Sequence, residues 1–474
     1  MAMDRREFVA RGAAFAAGFA GLRRVYAGAG ASAWLREPAY GYGELRADPK
    51  GLLDLPDGFT YRVLSRFDEL MDDGNHVPGL HDGMAAFAGQ DGTTILVRNH
   101  ELDGSNEKYS GYGKKQERFA RLPRDRVYDP GMGEIPALGG TTTIVYDTRT
   151  RRVVRQWLSL AGTIDNCAGG PTPWGTWLTC EETTVTRDDV HAKDHGFVFE
   201  VPATDRIRLA DPTPITAMGR FRHEAVAVHP PSGCIYLTED IEDGILYRFI
   251  PNVPGRLLEG GRLQALVVRD KPTLDTRNWE DDKAPAKAKV PQGVPMAVRW
   301  IDMDDVLSPK NDLRLRGAAA GASVFARAEG MWYGRDAVYF ACTNGGRLQK
   351  GQIWRYTPGA AEGKGGAEED AAPGMLELFV ESHDASLLEN ADNLTVSPWG
   401  DLIVCEDEIK PADGRQHLVG ITPEGELYHF ARNASGKGEF AGATFSPDGT
   451  TLFANIQTPG LTLAITGPWK RSRS

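Results

Sequence analysis

Residues 397–408 read SPWGDLIVCEDE, and residues 172–182 read TPWGTWLTCEE. Aligned on their Trp-Gly pairs, Cys405 falls on Cys180, Glu406 on Glu181 and Asp407 on Glu182. Each phrase runs from a Pro/Gly turn through a short apolar strand into a block of acids. Extended upstream, the two become ADNLTVSPWGDLIVCEDE (391–408) and DNCAGGPTPWGTWLTCEE (165–182). Four further copies follow the same plan: HDGMAAFAGQDGTTILVRNHE (81–101), HEAVAVHPPSGCIYLTED (223–240), AEGMWYGRDAVYFACTN (328–344) and FAGATFSPDGTTLFANIQ (440–457). Each copy reads as a β-hairpin; in the third, Ala225–Val228 meets a turn and Cys234–Leu237 returns. Further strands follow several copies, as at Gly244–Phe249, Gly351–Tyr356 and Leu418–Phe430. Hairpin plus hairpin gives a four-stranded blade. Six repeats therefore predict an all-β, six-bladed β-propeller, with a strand near Phe59–Ser65 closing the ring against the last blade.

The excess length between copies lies in three polar stretches, Glu107–Gly133, Asn252–Gly321 and Gly359–Gly374. They read as loop insertions on one propeller domain, residues 34–474, and not as linkers; the third is poor in apolar residues and is expected to be mobile. The composition of the 474-residue chain agrees with a large packed core: 41% of residues are apolar and 25% charged. No run of 18 apolar residues occurs, so no integral membrane segment is expected. A net charge of −11 argues against general nucleic-acid binding.

Residues 4–8 read D-R-R-E-F; an Ala/Gly/Phe-rich stretch follows over Gly12–Leu22, then small residues around Ala27-Gly28-Ala29 and Ala31-Ser32-Ala33. A twin arginine, a short weakly apolar core and an A-x-A site make a Tat signal peptide, residues 1–33. The Tat translocase would then be a partner during export, and the mature chain periplasmic or secreted. This route carries folded proteins, often with a cofactor in place, which hints at a metal enzyme. Five cysteines remain (167, 180, 234, 342 and 405), too few for a disulfide framework, and no C-x-x-C occurs.

In a propeller the inner strands converge on a central channel. The acid that opens a repeat then lands near the axis: Asp82, Asp165, Glu224, Glu329 and Asp392, with the last repeat lacking one. Facing carboxylates repel unless a cation neutralises them. Oxygen ligands suit calcium or magnesium, and oxygen with thiolate suits iron or zinc. The strand-end acids after Cys180, Leu237 and Cys405, and Glu101 after His100, are further candidates. Strand alternation allows only one of each consecutive pair to face inward. From these we take Glu101, Glu181, Glu239 and Glu406 as candidate metal ligands, beside Asp165, Glu224, Glu329 and Asp392. Asn166, His223 and Asn393 are candidate supporting residues behind the ligands. Arg327 precedes Glu329 by two and so shares its strand face, where a guanidinium would bind a tetrahedral oxyanion. No G-x-S-x-G and no phosphate-binding Gly loop is present, so neither a serine triad nor a nucleotide site is supported by motif.

These residues resemble the PhoX alkaline phosphatase family. The resemblance spans about Leu53 to Pro468 and rests on RNHE (98–101), DNCAGGPTPWGTWLTCEE (165–182), RFRHEAVAVHP (220–230), RAEGMWY (327–333), ENADNLTVSPWGDLIVCEDE (389–408) and FAGATFSPDGTTLFANIQTPG (440–460). It implies an exported phosphomonoesterase acting on small phosphate esters, with calcium and iron (Fe3+) clustered in the channel. It also implies Cys180 as the iron thiolate, Arg327 on the phosphate, and Glu329 and Asp392 on metal. The chain is shorter than the long members of that family, so loops around their active-site mouth are expected to be missing. The mechanism to expect is metal-assisted phosphoryl transfer with Arg327 clamping the phosphoryl group. Two other readings use the same fold: a calcium-dependent lactonase or related hydrolase with no thiolate ligand, and a non-catalytic binding propeller stabilised by calcium.

Overall fold

A computed structural model describes residues 41–132, 135–280, 290–407, 411, 414–436 and 438–470. The Tat signal read at residues 1–33 lies outside the described residues. Within them the fold is all-β and propeller-like, and the two α-helices are short, Leu313–Ala319 and Gly366–Ala371.

Each of the six repeats forms the expected hairpin. The inner strands are His81–Ala88, Asn166–Pro171, His223–Val228, Ala328–Gly334, Ala391–Val396 and Phe440–Phe445, and each pairs antiparallel with the strand after it. Neighbouring inner strands contact one another in cyclic order, the sixth against the first, and so surround an axis. They are buried on both faces because each packs between two neighbours, which is why a run such as His223–Val228 is buried throughout.

The sheets built outward from this ring are unequal. Repeat one makes four strands, ending with Gly139–Asp147 and Arg152–Thr163, whereas repeat two makes only three, ending at Val198–Pro202. Repeats three and four share one nine-stranded sheet: the insertion after Asn252 supplies Gly261–Val268 and Met296–Asp302, and the latter pairs with Met375–Glu381 of repeat four. Repeat five is widened to six strands by Leu45–Arg46 and Leu53–Pro56. The ring closes as expected, because Thr60–Arg66 pairs with Leu461–Thr466 as the outer strand of repeat six. Six separate four-stranded blades are thus met only in part. The insertion 252–321, expected as a loop, carries sheet strands, and the polar stretch 359–374 folds into the short helix above. That helix is tied down by Arg248, whose buried guanidinium bonds Glu362, Glu369 and Gln264.

Two features bring the site into being. Every inner strand has a register irregularity directly after its first residues, as between Asn166 and Gly169 or Ala391 and Leu394. Such a bulge bends the strand and re-aims the side chains at its start. Adjacent inner strands also approach closely there: a Cβ on Gly83 would lie 2.6 Å from Ala168 Cα, and one on Gly170 would lie 1.9 Å from the Val226 carbonyl oxygen.

Candidate metal and phosphate site

The residue at the bulge of each inner strand points toward the axis. In chain order these are Asp82, Cys167, Glu224, Glu329 and Asp392, each one place after the residue that pairs with the second strand; in repeat six the matching Ala441 is itself paired, with Asn455. One residue beyond the paired end of the second strand comes an outer tier: Glu101, Glu182, Asp240, Thr343, Asp407 and Gln457. Asp165 and Glu439 join from the position just before the paired residue. The same position holds Arg222 in repeat three and Arg327 in repeat four.

Three groups of donor atoms each come within 4.8 Å of one another: Glu224, Glu329 and Asp392; Glu101, Cys167 and Glu182; Asp82, Glu101 and Glu439. The Cys167 thiol points at Glu224 Oε1, 3.3 Å away, and Asp82 Oδ1, 3.8 Å away. Gln457 donates to Asp82 and to Glu101, at 3.2 and 2.7 Å. Burial pushes Asp82 and Asp165 up to about 7. Burial, with the repulsion of neighbouring carboxylates, raises Glu101, Glu182, Glu224, Glu329, Asp392 and Glu439 well above the usual carboxylate range. Within this ring, Arg327 bonds Asp240 through Nε and Nη2 at 2.8 and 3.0 Å and reaches Glu329 at 2.8 Å, while Arg222 bonds Glu182. Glu182 in turn lies in hydrogen-bonding reach of Asp240, a contact between two carboxyl groups that requires a shared proton or a cation.

A metal cluster fits these residues. Glu224 Oε2 is buried with no hydrogen-bond partner among the described residues, so it has lone pairs left for a cation. The donors are hard carboxylates plus one thiol, a set that suits hard cations beside a softer transition metal. Bound cations would reverse the upward pKa shifts by supplying the missing opposite charge.

The sequence-derived candidates fall into two classes. The structure brings Glu101, Asp165, Glu224, Glu329, Asp392 and Arg327 to the ring. Asn393 supports it, donating to Asp392 Oδ1 at 3.0 Å and accepting from Gly442 N at 2.9 Å. Four candidates are placed elsewhere. Cys180 is buried in an apolar cluster with Leu178, Val198, Phe221 and Val226. It stands two residues before Glu182, at the register where Asn99, Thr238 and Asn455 reach across to the next repeat's backbone, so its side chain faces the neighbouring blade. Glu181 accepts from Ile164 N, Gly196 N, Phe197 N and the His195 ring; Glu406 accepts from Glu389 N and His417; Glu239 accepts from the Tyr247 hydroxyl. These three glutamates are on the wrong phase of the alternation, and Glu182, Asp240 and Asp407 face the channel instead. Of the remaining supporting candidates, Asn166 bonds Thr163 and Thr179, and His223 bonds the Gly219 carbonyl and stacks on Phe221.

Sequence reasoning left Cys167, Glu439 and Arg222 unassigned, and within the strand-end pairs it chose Glu181, Glu239 and Glu406 over Glu182, Asp240 and Asp407. The signal for Cys167 was present: the Trp-Gly alignment that puts Cys405 on Cys180 also puts Asp392 on Cys167. Matching the Asp-Asn dipeptides 165–166 and 392–393 obscured it. The sixth repeat does hold an acid, Glu439, one residue before the repeat was taken to begin.

With this geometry established, comparison with known proteins is informative. The family model described as alkaline phosphatase PhoX matches residues 40–460. The structure of PhoX from Pseudomonas fluorescens in complex with vanadate, a transition state analogue, superposes with a TM-score of 0.66 at 19% identity, covering 90% of this chain and 98% of that one. A gluconolactonase from Xanthomonas campestris aligns with a TM-score of 0.39 at 10% identity over 91% of this chain and 99% of that one, a likeness too weak to carry an argument. No curated relative matches by sequence.

Proposed function

Since the chain belongs to the PhoX alkaline phosphatase family and is on that ground a hydrolase of small phosphate esters, we propose that its active centre is the carboxylate ring, charged with calcium and iron. The observation that carries this is the convergence of Cys167, Glu101 and Glu182 beside two all-carboxylate groups. Cys167, not Cys180, is the thiolate in this reading. The glutamate and aspartate groups would hold calcium and complete the coordination of the iron. When bound, the metals supply Lewis acidity and neutralise charge that develops on the phosphoryl oxygens. The membership sets aside the lactonase and the purely binding readings.

The chain's own contribution is positioning. Arg327 is held by Asp240 and Glu329, and its side chain remains 34% exposed, so donors stay available for an incoming phosphoryl group. With Nε and Nη2 engaged by Asp240 and Glu329, Nη1 and its N–H donors are left for phosphoryl oxygens. Glu329 fixes the guanidinium from below, and Asn393 fixes Asp392. We further read the six cyclic inner strands as six blades, two of them fused by Met296–Asp302, and the N-terminal segment as a Tat signal that delivers the folded protein to the periplasm or beyond. Among the described residues no helix is long and apolar enough to cross a membrane.

The test is hydrolysis of p-nitrophenyl phosphate by natively purified protein before and after chelation. Turnover that disappears with chelator and returns with calcium and iron supports the reading. Turnover indifferent to chelation contradicts it.

A further inference from the structure

Arg222 and Arg327 occupy equivalent positions in adjacent repeats, yet they are engaged differently. Arg327 spends Nε and Nη2 on Asp240 and touches Glu329 as well. Arg222 makes one side-chain hydrogen bond among the described residues, from Nη2 to Glu182; its Nε is buried with no hydrogen-bond partner, and its side chain is 43% exposed. A guanidinium offers five donors, and a buried donor left unmatched is costly. The two arginines are connected through the touching carboxyls of Glu182 and Asp240, so Arg222 stands one carboxyl pair to the side of the guanidinium that takes the phosphoryl group. An ester seated with its phosphate at Arg327 can reach Arg222 with its alcohol portion across this rim. The rim is otherwise acidic and would repel an anionic leaving group.

We propose that Arg222 is a specificity-determining residue that binds a second anionic group, a carboxylate or another phosphate, on the alcohol portion of the substrate. The proposal rests on the phosphatase reading of the ring. It makes the protein selective for phosphate esters that carry further negative charge over esters of neutral alcohols. Arg222 Nη1, which makes no hydrogen bond among the described residues, carries two N–H donors for such a group.

The experiment compares 4-carboxyphenyl phosphate with the phosphate ester of methyl 4-hydroxybenzoate, which differs only in masking the carboxylate. Wild-type protein should show the higher kcat/KM for the free acid. Arg222→Gln should lower that ratio about tenfold, and Arg222→Lys should recover part of it. Metal content is measured on every variant. Equal losses on both esters, or a fall in bound metal, would mean that Arg222 only neutralises Glu182 and would overturn the proposal. A wild type that prefers neither ester overturns it too. A wild type that hydrolyses neither ester overturns the phosphatase reading and this inference together. If Arg222→Gln fails to fold, the Lys variant alone decides, since a changed ratio with unchanged metal content supports the proposal and an unchanged ratio opposes it.

Discussion

Cys167 and Cys180 carry the same thiol into opposite surroundings. Burial and the carboxylates of Asp82 and Glu224 push the Cys167 thiol well above its ordinary value, and a cation at that spot would draw the proton off. Cys180 is raised by burial first, and it lies among apolar side chains that give a thiolate no support. Cys167→Ser should therefore abolish most p-nitrophenyl phosphate turnover and reduce bound iron, while Cys180→Ser should retain both within a few-fold; the reverse pattern would reassign the thiolate. The same scale shows what the sequence could and could not convey. A block such as Cys-Glu-Glu announces acids near the axis, but which member faces inward depends on a one-residue phase that the block itself does not encode. Paired partners decide it: Glu181 is used up by three backbone amides and His195, and Glu182 is left for the channel.

His195 gives a pH prediction. Its ring lies between Glu181, 2.6 Å away, and Asp129, 3.1 Å away, fully buried. Burial works against a charged imidazole, but Glu181 and Asp129 overcome it and hold His195 up at about 9. A histidine whose folded pKa exceeds its unfolded one of about 6.5 stabilises fully below that value, and the contribution is lost as pH rises through about 9. The Tm difference between wild type and His195→Gln should thus be largest near pH 6 and shrink toward pH 10. A gap that stays constant over that range would contradict the assignment of charge to His195.

At the scale of elements, the repeats were legible because each hairpin must bury both faces and turn at Pro or Gly. The phrase therefore recurs even where its residues change. The unequal sheets were not legible. Met296–Asp302 comes from a stretch whose polar flanks read as loop, and its pairing with Met375–Glu381 is a long-range event that no local pattern records. What holds the ring tight is close approach between inner strands, seen at Gly83, where an added methyl would meet Ala168 Cα at 2.6 Å. Gly83→Ala should force these backbones apart at a cost of about 1–3 kcal/mol, as overpacking does in dense cores. The measurement is the urea midpoint at unchanged m. A midpoint equal to wild type would mean that the strands have room to yield.

At the scale of the whole molecule, a ring of six strands is a device for collecting side chains distant in sequence onto one axis. Asp82 and Asp392 could not meet on any single hairpin. The price of that convergence is repulsion: at least ten acids, among them Asp165, Asp240, Asp407 and Glu439, converge on a site with two arginines, and burial raises most of them. The arrangement is stable as a folded protein only if protons or cations balance it, and cations are what the donor set selects. Diffraction from crystals of native protein grown with orthophosphate, with anomalous data at the iron edge, tests this most directly. The account predicts iron beside Cys167 Sγ, further cations against Glu224, Glu329 and Asp392, and phosphate on Arg327. Iron at Cys180, or phosphate bound away from Arg327 with the ring free of metal, would contradict it.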